Sequence, residues 1–188
     1  MAEVISIKNM VCNRCITAVE SELDKLNIKA KSVSLGEVVL VDFLDKSIKN
    51  ELKDNLEKIG FELLEDKKLQ LNERVKNVII DLIHHKHTQL NINLSDYISE
   101  QIGTDYSIIS KQFSELEGTT IEKFVIAQKI ERVKELISYN ELTLSEISDQ
   151  LHYSSVAHLS GQFKKITGIT PSDYKKQDLK ERKPLNEV

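Results

Sequence analysis

The chain has 188 residues, a formal net charge of −4 and a pI near 5.8. That length allows one or two small domains, and a hydrophobic fraction of 40% with no Trp allows modest packed cores. The acidic balance argues against a uniformly basic nucleic-acid-binding surface, and no apolar run reaches the length of a membrane span or forms a secretory leader, so a cytoplasmic protein with local charged patches is expected.

Val4 to Ile7 is a β-branched run that predicts a strand, and Asn9 to Cys15 a loop. Ile16, Val19, Leu23 and Leu26 recur at helical spacing and predict a helix from Asn13 to about Lys25. Ile28 to Leu35 and Val38 to Phe43, with Gly36 between them, predict a hairpin of two strands. Ile48, Leu52, Leu56 and Ile59 mark a second helix that stops at Gly60, and Phe61 to Leu64 a last strand. The order βαββαβ within residues 1–66 is that of a ferredoxin-like domain.

Beyond residue 66 the pattern turns helical. A connecting helix over 67–90 carries Val75, Val78, Ile79, Leu82 and Ile83 on one side. It ends in the polar cluster His84-His85-Lys86-His87, which reads as a helix end whose basic side chains complement the dipole. Leu94 to Ile102 is a short helix stopped by Gly103, and Asp105 to Leu116 another, with Ile109, Phe113 and Leu116 inward. Thr119 and Glu122 have capping-box spacing and open a long helix through about Tyr139, which buries Phe124, Ile130, Val133, Leu136 and Ile137. Thr143 and Glu146 repeat that spacing before a helix with Leu144, Ile147 and Leu151 on one face. The next helix turns Leu159, Phe163 and Ile166 inward, Gly168 stops it, and Thr170-Pro171 opens a last short helix. Residues 179–188 form a polar tail.

The helical half repeats itself. Ile109 and Leu159, Phe113 and Phe163, Gly118 and Gly168, and Thr120 and Thr170 lie 50 positions apart. Ile98 and Ile147, and Ile102 and Leu151, lie 49 apart, so the first turn is one residue shorter. Two helix-turn-helix units joined by a long helix are expected over 91–178, and the fold class is α+β: a ferredoxin-like domain followed by an all-α double helix-turn-helix domain.

The residues Ile147-Ser148, Leu151, Tyr153-Ser154-Ser155, Leu159, Phe163-Lys164-Lys165, Gly168, Pro171 and Tyr174-Lys175, in that spacing, resemble the C-terminal signature of AraC/XylS-family transcription regulators. The resemblance covers about Leu94 to Lys176. It implies double-stranded DNA as partner, with the two reading helices in successive major grooves. It places Tyr106, Ser107, Ser110, Lys111 and Ser114 on the base-facing side of the first reading helix. On the second it places Ser155, Val156, Ala157, His158, Gly161, Lys164 and Lys165. Lys111 could donate to guanine and Val156 and Ala157 could touch thymine methyls, while Lys164 and Lys165 suit phosphates. Lys123, Lys129, Arg132 and Lys134 of the long helix either add phosphate contacts or pair with Glu131 and Glu135.

Cys12 and Cys15 stand between the first strand and the first helix. Thiols near a helix N-terminus favour the thiolate, and a pair of soft thiolates suits Cu(I) or a similar ion, whereas two ligands are too few for structural zinc. A redox pair or an inert loop are the other readings of this spacing. Met10-x-Cys12-x-x-Cys15, with Gly60-Phe61 near the last strand, resembles the heavy-metal-associated domain of copper chaperones and metal-pumping ATPases. Asn9 stands where that family usually has Gly, and Asn13-Arg14 is an unusual intervening pair.

Together these readings predict an AraC-type DNA-binding transcription regulator responsive to a soft metal ion bound by Cys12 and Cys15, without an organic cofactor. Two alternatives remain. In one, the N-terminal domain docks a protein partner or a second copy, giving a homodimer. In the other, the protein is a metal chaperone or buffer with a degenerate DNA domain. No nucleophile–base pairing, phosphate loop or paired-carboxylate signature stands out, so an enzyme is not expected.

Overall fold

The computed structural model describes residues 3–86, 91–177 and 182–188. It divides into two compact units, Met1–Asn77 and Val78–Val188.

In the N-terminal unit the elements follow in the order β1 (Val4–Lys8), α1 (Asn13–Lys25), β2 (Ala30–Ser34), β3 (Glu37–Leu40), α2 (Lys46–Lys58) and β4 (Glu62–Leu64). The strands form one sheet in the order β2-β3-β1-β4, every neighbouring pair antiparallel. Ile5 lies opposite Val38 and Ile7 opposite Leu63, and this register sends the β-branched residues into a shared core with Val19, Leu23, Leu52 and Leu56 of the two helices. Strand β3 stops at Leu40, short of the expected Phe43. The Leu44 N–H turns to the Glu3 carboxylate at 2.9 Å, which draws the chain away from the ladder and leaves Phe43 68% exposed. Ile59, expected on the buried side of α2, instead closes that helix as its exposed C-cap.

Helix α3 (Lys67–Ile80) braces the sheet through its polar residues. Gln70 Nε2 donates to the Leu64 carbonyl at 2.8 Å, the Asn9 N–H donates to Glu73 at 2.9 Å, and Arg74 lies 3.9 Å from Glu37.

The C-terminal unit is built around α6 (Ile121–Tyr139). Helices α4 (Leu94–Ile102) and α5 (Tyr106–Glu117) lie before it in sequence, and α7 (Leu144–Gln150), α8 (Val156–Thr167) and α9 (Pro171–Lys175) after it. Ile130, Val133, Leu136 and Ile137 of α6 bury themselves with Ile147, Leu151, Leu159, Phe163 and Tyr174. Earlier on α6, Phe124 meets Phe113 edge-on at 5.5 Å between ring centroids, and Phe163 meets Tyr174 at the same distance.

Two inward assignments fail. Leu116 and Ile166, in the last turns of α5 and α8, are both exposed. Each helix buries only its i, i+4 pair, Ile109 with Phe113 and Leu159 with Phe163. The cap of α6 is Thr120 rather than Thr119. Thr120 has the extended backbone a cap needs and accepts from the Lys123 N–H at 3.3 Å. The box partner is also diverted, because Glu122 accepts from the Tyr106 hydroxyl at 2.7 Å. At Thr143 and Glu146 the capping box is complete.

The polar cluster after α3 departs from expectation too. Asp81–Lys86 form a π-helical turn in which His84 is buried rather than a solvated helix end. Its Nε2 lies 3.1 Å from Gln128 Oε1 of α6. Burial lowers its pKa to about 4, so the ring is neutral at pH 7 and its 3.9 Å approach to Glu135 is not an ion pair there. His87 lies outside the described residues.

Candidate nucleic-acid interface and cysteine loop

Each half of the C-terminal unit sets one helix behind another across a tight turn, and the sequence supplies the turn chemistry. In the first half Gly103 takes φ +72° and Asp105 caps α5, accepting from the Ser107 N–H at 2.8 Å. In the second half His152 occupies the left-handed position at φ +55°, which this side chain tolerates better than most. Ser155 then caps α8, accepting from the His158 N–H at 3.1 Å. Ser155 is therefore a scaffold residue first.

The outward face of α5 carries the sequence-predicted residues, several already engaged within the fold. Tyr106 is half-buried and its hydroxyl donates to Glu122, with burial first and the carboxylate second pushing its pKa up. The exposed Ser107 donates its hydroxyl proton to Asp105 Oδ1, and that bond holds the Asp105 carboxyl below its ordinary range. Ser110 donates to the Ser107 carbonyl at 3.3 Å. Lys111 is exposed. Ile108, which the inward periodicity of the sequence passes over, is 56% exposed between them.

On α8, Val156, Ala157, His158, Gly161, Lys164 and Lys165 are all exposed. His158 is held at both ring nitrogens: Nδ1 lies 3.0 Å from Ser154 Oγ and Nε2 lies 3.1 Å from Gln162 Nε2. Its ring stands edge-on to Tyr153 at 5.4 Å. Gln162 and Tyr153 are thus positioning residues, of which the sequence singles out Tyr153 only as part of the signature and Gln162 not at all. The only signal for Gln162 is its i+4 spacing from His158.

Of the four long-helix cations, three are engaged inside the unit. Lys129 Nζ donates to the Leu151 carbonyl at 2.8 Å and lies 5.2 Å from the Tyr153 ring centroid, and burial pulls its pKa down. Arg132 pairs with Glu135, and Lys134 with Glu131 at 2.6 Å. Lys123 is exposed.

Residues 98–177 match the family described as "Helix-turn-helix domain". The C-terminal region is a helix-turn-helix domain of the AraC type. Over 80 residues it is 31% identical to the xylose operon regulatory protein of Escherichia coli K12, a match spanning 43% of this chain and 20% of that protein. The chain thus spans about a fifth of the length of the curated relatives it matches first. The C-terminal domain of AraT, a response regulator from Geobacillus stearothermophilus, superposes with a TM-score of 0.50 at 21% identity, covering 58% of this chain and 87% of that one. ToxT from Vibrio cholerae does so with a TM-score of 0.51 at 17% identity, covering 87% of this chain and 67% of that one. At these identities the two structures speak for the fold alone. No helix among the described residues is long and apolar enough to cross a membrane.

In the N-terminal unit Cys12 is the N-cap residue of α1, and the Cys15 N–H donates to its carbonyl at 2.9 Å. The two thiols are free and their Sγ atoms lie 3.5 Å apart. Partial burial pushes the Cys12 pKa up. The Cys15 N–H and thiol and the Arg14 N–H and charge outweigh it and leave the thiol below its ordinary value. Asn9 takes φ +73°, where glycine would sit without strain, and its side chain donates to the Gly60 carbonyl at 3.0 Å. Met10 is fully buried in the core beneath the loop. Among the described residues no cluster of three or more His, Cys, Asp or Glu side chains could hold a metal, so the loop offers a two-thiol donor set. Two facing, half-exposed soft donors at a helix start fit a soft monovalent ion and not a structural zinc.

Proposed function

We propose that the chain is a sequence-specific, DNA-binding transcription regulator of the AraC type whose N-terminal unit holds a soft metal ion, Cu(I) being the best match, between Cys12 and Cys15. The observation that carries the DNA-binding part is the repeat. Two capped helices, α5 and α8, each stand with one face on α6 and the other open, as groove-reading helices must. The regulatory role of the xylose operon protein supports the extension from DNA binding to transcription.

The metal part rests on the loop. The βαββαβ order and the β2-β3-β1-β4 sheet support a ferredoxin-like, heavy-metal-associated module. Cys12 and Cys15 would supply both thiolates, and the ion would add a positive charge beside the start of α1. Such an ion alters DNA affinity only by binding one conformation of the protein more tightly than another. A cytoplasmic setting, where thiols stay reduced, suits the free pair.

The test is selection of bound sequences from random duplex DNA by the full chain, apo and loaded with Cu(I), alongside Cys12→Ser. A common enriched sequence whose affinity shifts with Cu(I) in the wild type only is the expected result. No enrichment in any arm overturns the DNA-reading function. Enrichment that Cu(I) leaves untouched removes the metal response and favours an N-terminal unit that docks a partner protein or a second copy.

A further inference from the structure

We infer that the two reading helices recognise thymine through its C5-methyl group, Ile108 doing so from α5 and Val156 from α8. The inference rests on the DNA-reading function proposed above and concerns how the reading is done.

Reading guanine or thymine by hydrogen bonds needs side-chain protons directed outward, and beside Lys111 the open face of α5 has few to offer. The hydroxyl protons of Tyr106, Ser107 and Ser110 go to Glu122, Asp105 and the Ser107 carbonyl. These oxygens remain as acceptors only. On α8 both ring nitrogens of His158 are engaged by Ser154 and Gln162, and Ser155 accepts the His158 N–H at the cap, which leaves its own hydroxyl proton as a donor. Beside the exposed lysines, both faces present exposed apolar side chains. Ile108 is 56% exposed and Val156 36%, and Ala157 adjoins Val156.

Position supports the same assignment. Ile108 and Val156 both lie in the first turn of their helices, the part of a recognition helix that meets base edges. Ile108 is the counterpart of His158 in the 50-residue repeat and lies three residues before Lys111, so the two share a face. A β-branched side chain held in water at this site gains when an apolar group covers it. The only apolar group on a base edge in the major groove is the thymine methyl. Lys111 then supplies the polar part of the first unit's preference.

The experiment uses the site enriched by the full chain, resynthesised with deoxyuridine in place of each thymine in turn. Uracil keeps every hydrogen-bonding group of thymine and lacks only the methyl. The wild type should lose about fourfold in affinity at one thymine under each unit, the value of one buried methyl group. Ile108→Ala should lose this distinction under the first unit and keep it under the second, and Val156→Ala should do the reverse. Ile108→Val, which preserves a branched surface, should retain it. Uracil tolerated at every position, or a thymine preference that persists unchanged in both alanine variants, overturns the inference while leaving DNA reading intact. Failure to enrich any sequence overturns both.

Discussion

In the first helix-turn-helix unit the chain passes from Ile102 through Gly103 and Thr104 to the Asp105 cap. In the second it passes from Leu151 through His152, Tyr153 and Ser154 to the Ser155 cap, with one residue more. The extra residue is not idle. Tyr153 is buried, stacks edge-on with His158 and lies beside the ammonium of Lys129, which in turn holds the Leu151 carbonyl. The second turn is thus braced from α6, whereas the first relies on a glycine and an aspartate cap. Inward residues match across the repeat, and several outward ones do not. Lys111 corresponds to Gly161, Ser114 to Lys164 and Glu115 to Lys165. The packing is duplicated, while the charge of the surface differs, with two lysines on α8 where α5 has a serine and a glutamate.

If the scaffold is common to both units, deleting its matched anchors should cost the same. Phe113 and Phe163 are both essentially inaccessible, each in edge contact with another ring. Phe113→Ala and Phe163→Ala should each destabilise the C-terminal unit by about 3–5 kcal/mol, read from urea midpoints by circular dichroism. A much smaller loss at either position would mean that one unit is an appendage of the other.

Acid tests whether the units stand or fall together. His84 is neutral in the fold, with Gln128, Glu135, Arg132 and His85 around it, and its pKa falls from 6.5 to about 4. The unfolded chain therefore binds its proton first. The stabilisation is complete above pH 6.5 and is lost as pH falls from there toward 4, where about 3 kcal/mol has gone. Glu135, whose pKa stays low because its bonds to Arg132 and Tyr139 outweigh burial, adds loss in the same direction below its ordinary range. Unfolding at pH 4 should come at a lower urea concentration than at pH 7, with both units lost in one transition because α6 serves both cores. In His84→Gln the pH 4.5–6.5 part of this dependence should flatten. Separate loss of α5 and α8, followed by amide hydrogen exchange within the C-terminal unit, would break the shared-core picture.

Much of this architecture was legible because capping and periodicity act locally. Asn13 to Lys25 is helical as read, Thr143 and Glu146 form their box, and Gly103, Gly118 and Gly168 end their helices in the left-handed region. The misreadings share a cause, namely that tertiary partners were invisible. Glu122 looked like a capping-box residue but is claimed by Tyr106. His84 looked like a solvated helix end, but Gln128, 44 positions away, gives it a buried partner. Arg132 and Lys134 looked equally fit for phosphate or for their own helix, and the structure pairs them with Glu135 and Glu131. At the candidate interface the bonds of Ser107 and Ser110 within their own turn, and the exposure of Ile108 between them, could not be read from residue type.

The smallest predicted effects separate the two roles most directly. Lys164 and Lys165 end α8 on its open side, where a flexible ammonium can meet a phosphate but carries no base information. Lys164→Ala should weaken binding by a similar few-fold factor on enriched and scrambled DNA, and reduce the slope of log affinity against log salt by about 0.9, the value of one phosphate contact. Lys111 lies near the middle of α5 on the face that Ile108 shares, with Glu115 one turn further on where the second unit has Lys165. A carboxylate there disfavours a phosphate close by, which directs Lys111 toward a base edge instead. Lys111→Ala should therefore relax preference at one position in a repeated selection, with little change in binding to scrambled DNA. Equal losses on all sequences for Lys111→Ala, together with a lost preference for Lys164→Ala, would mean that the two units divide the work in the opposite sense.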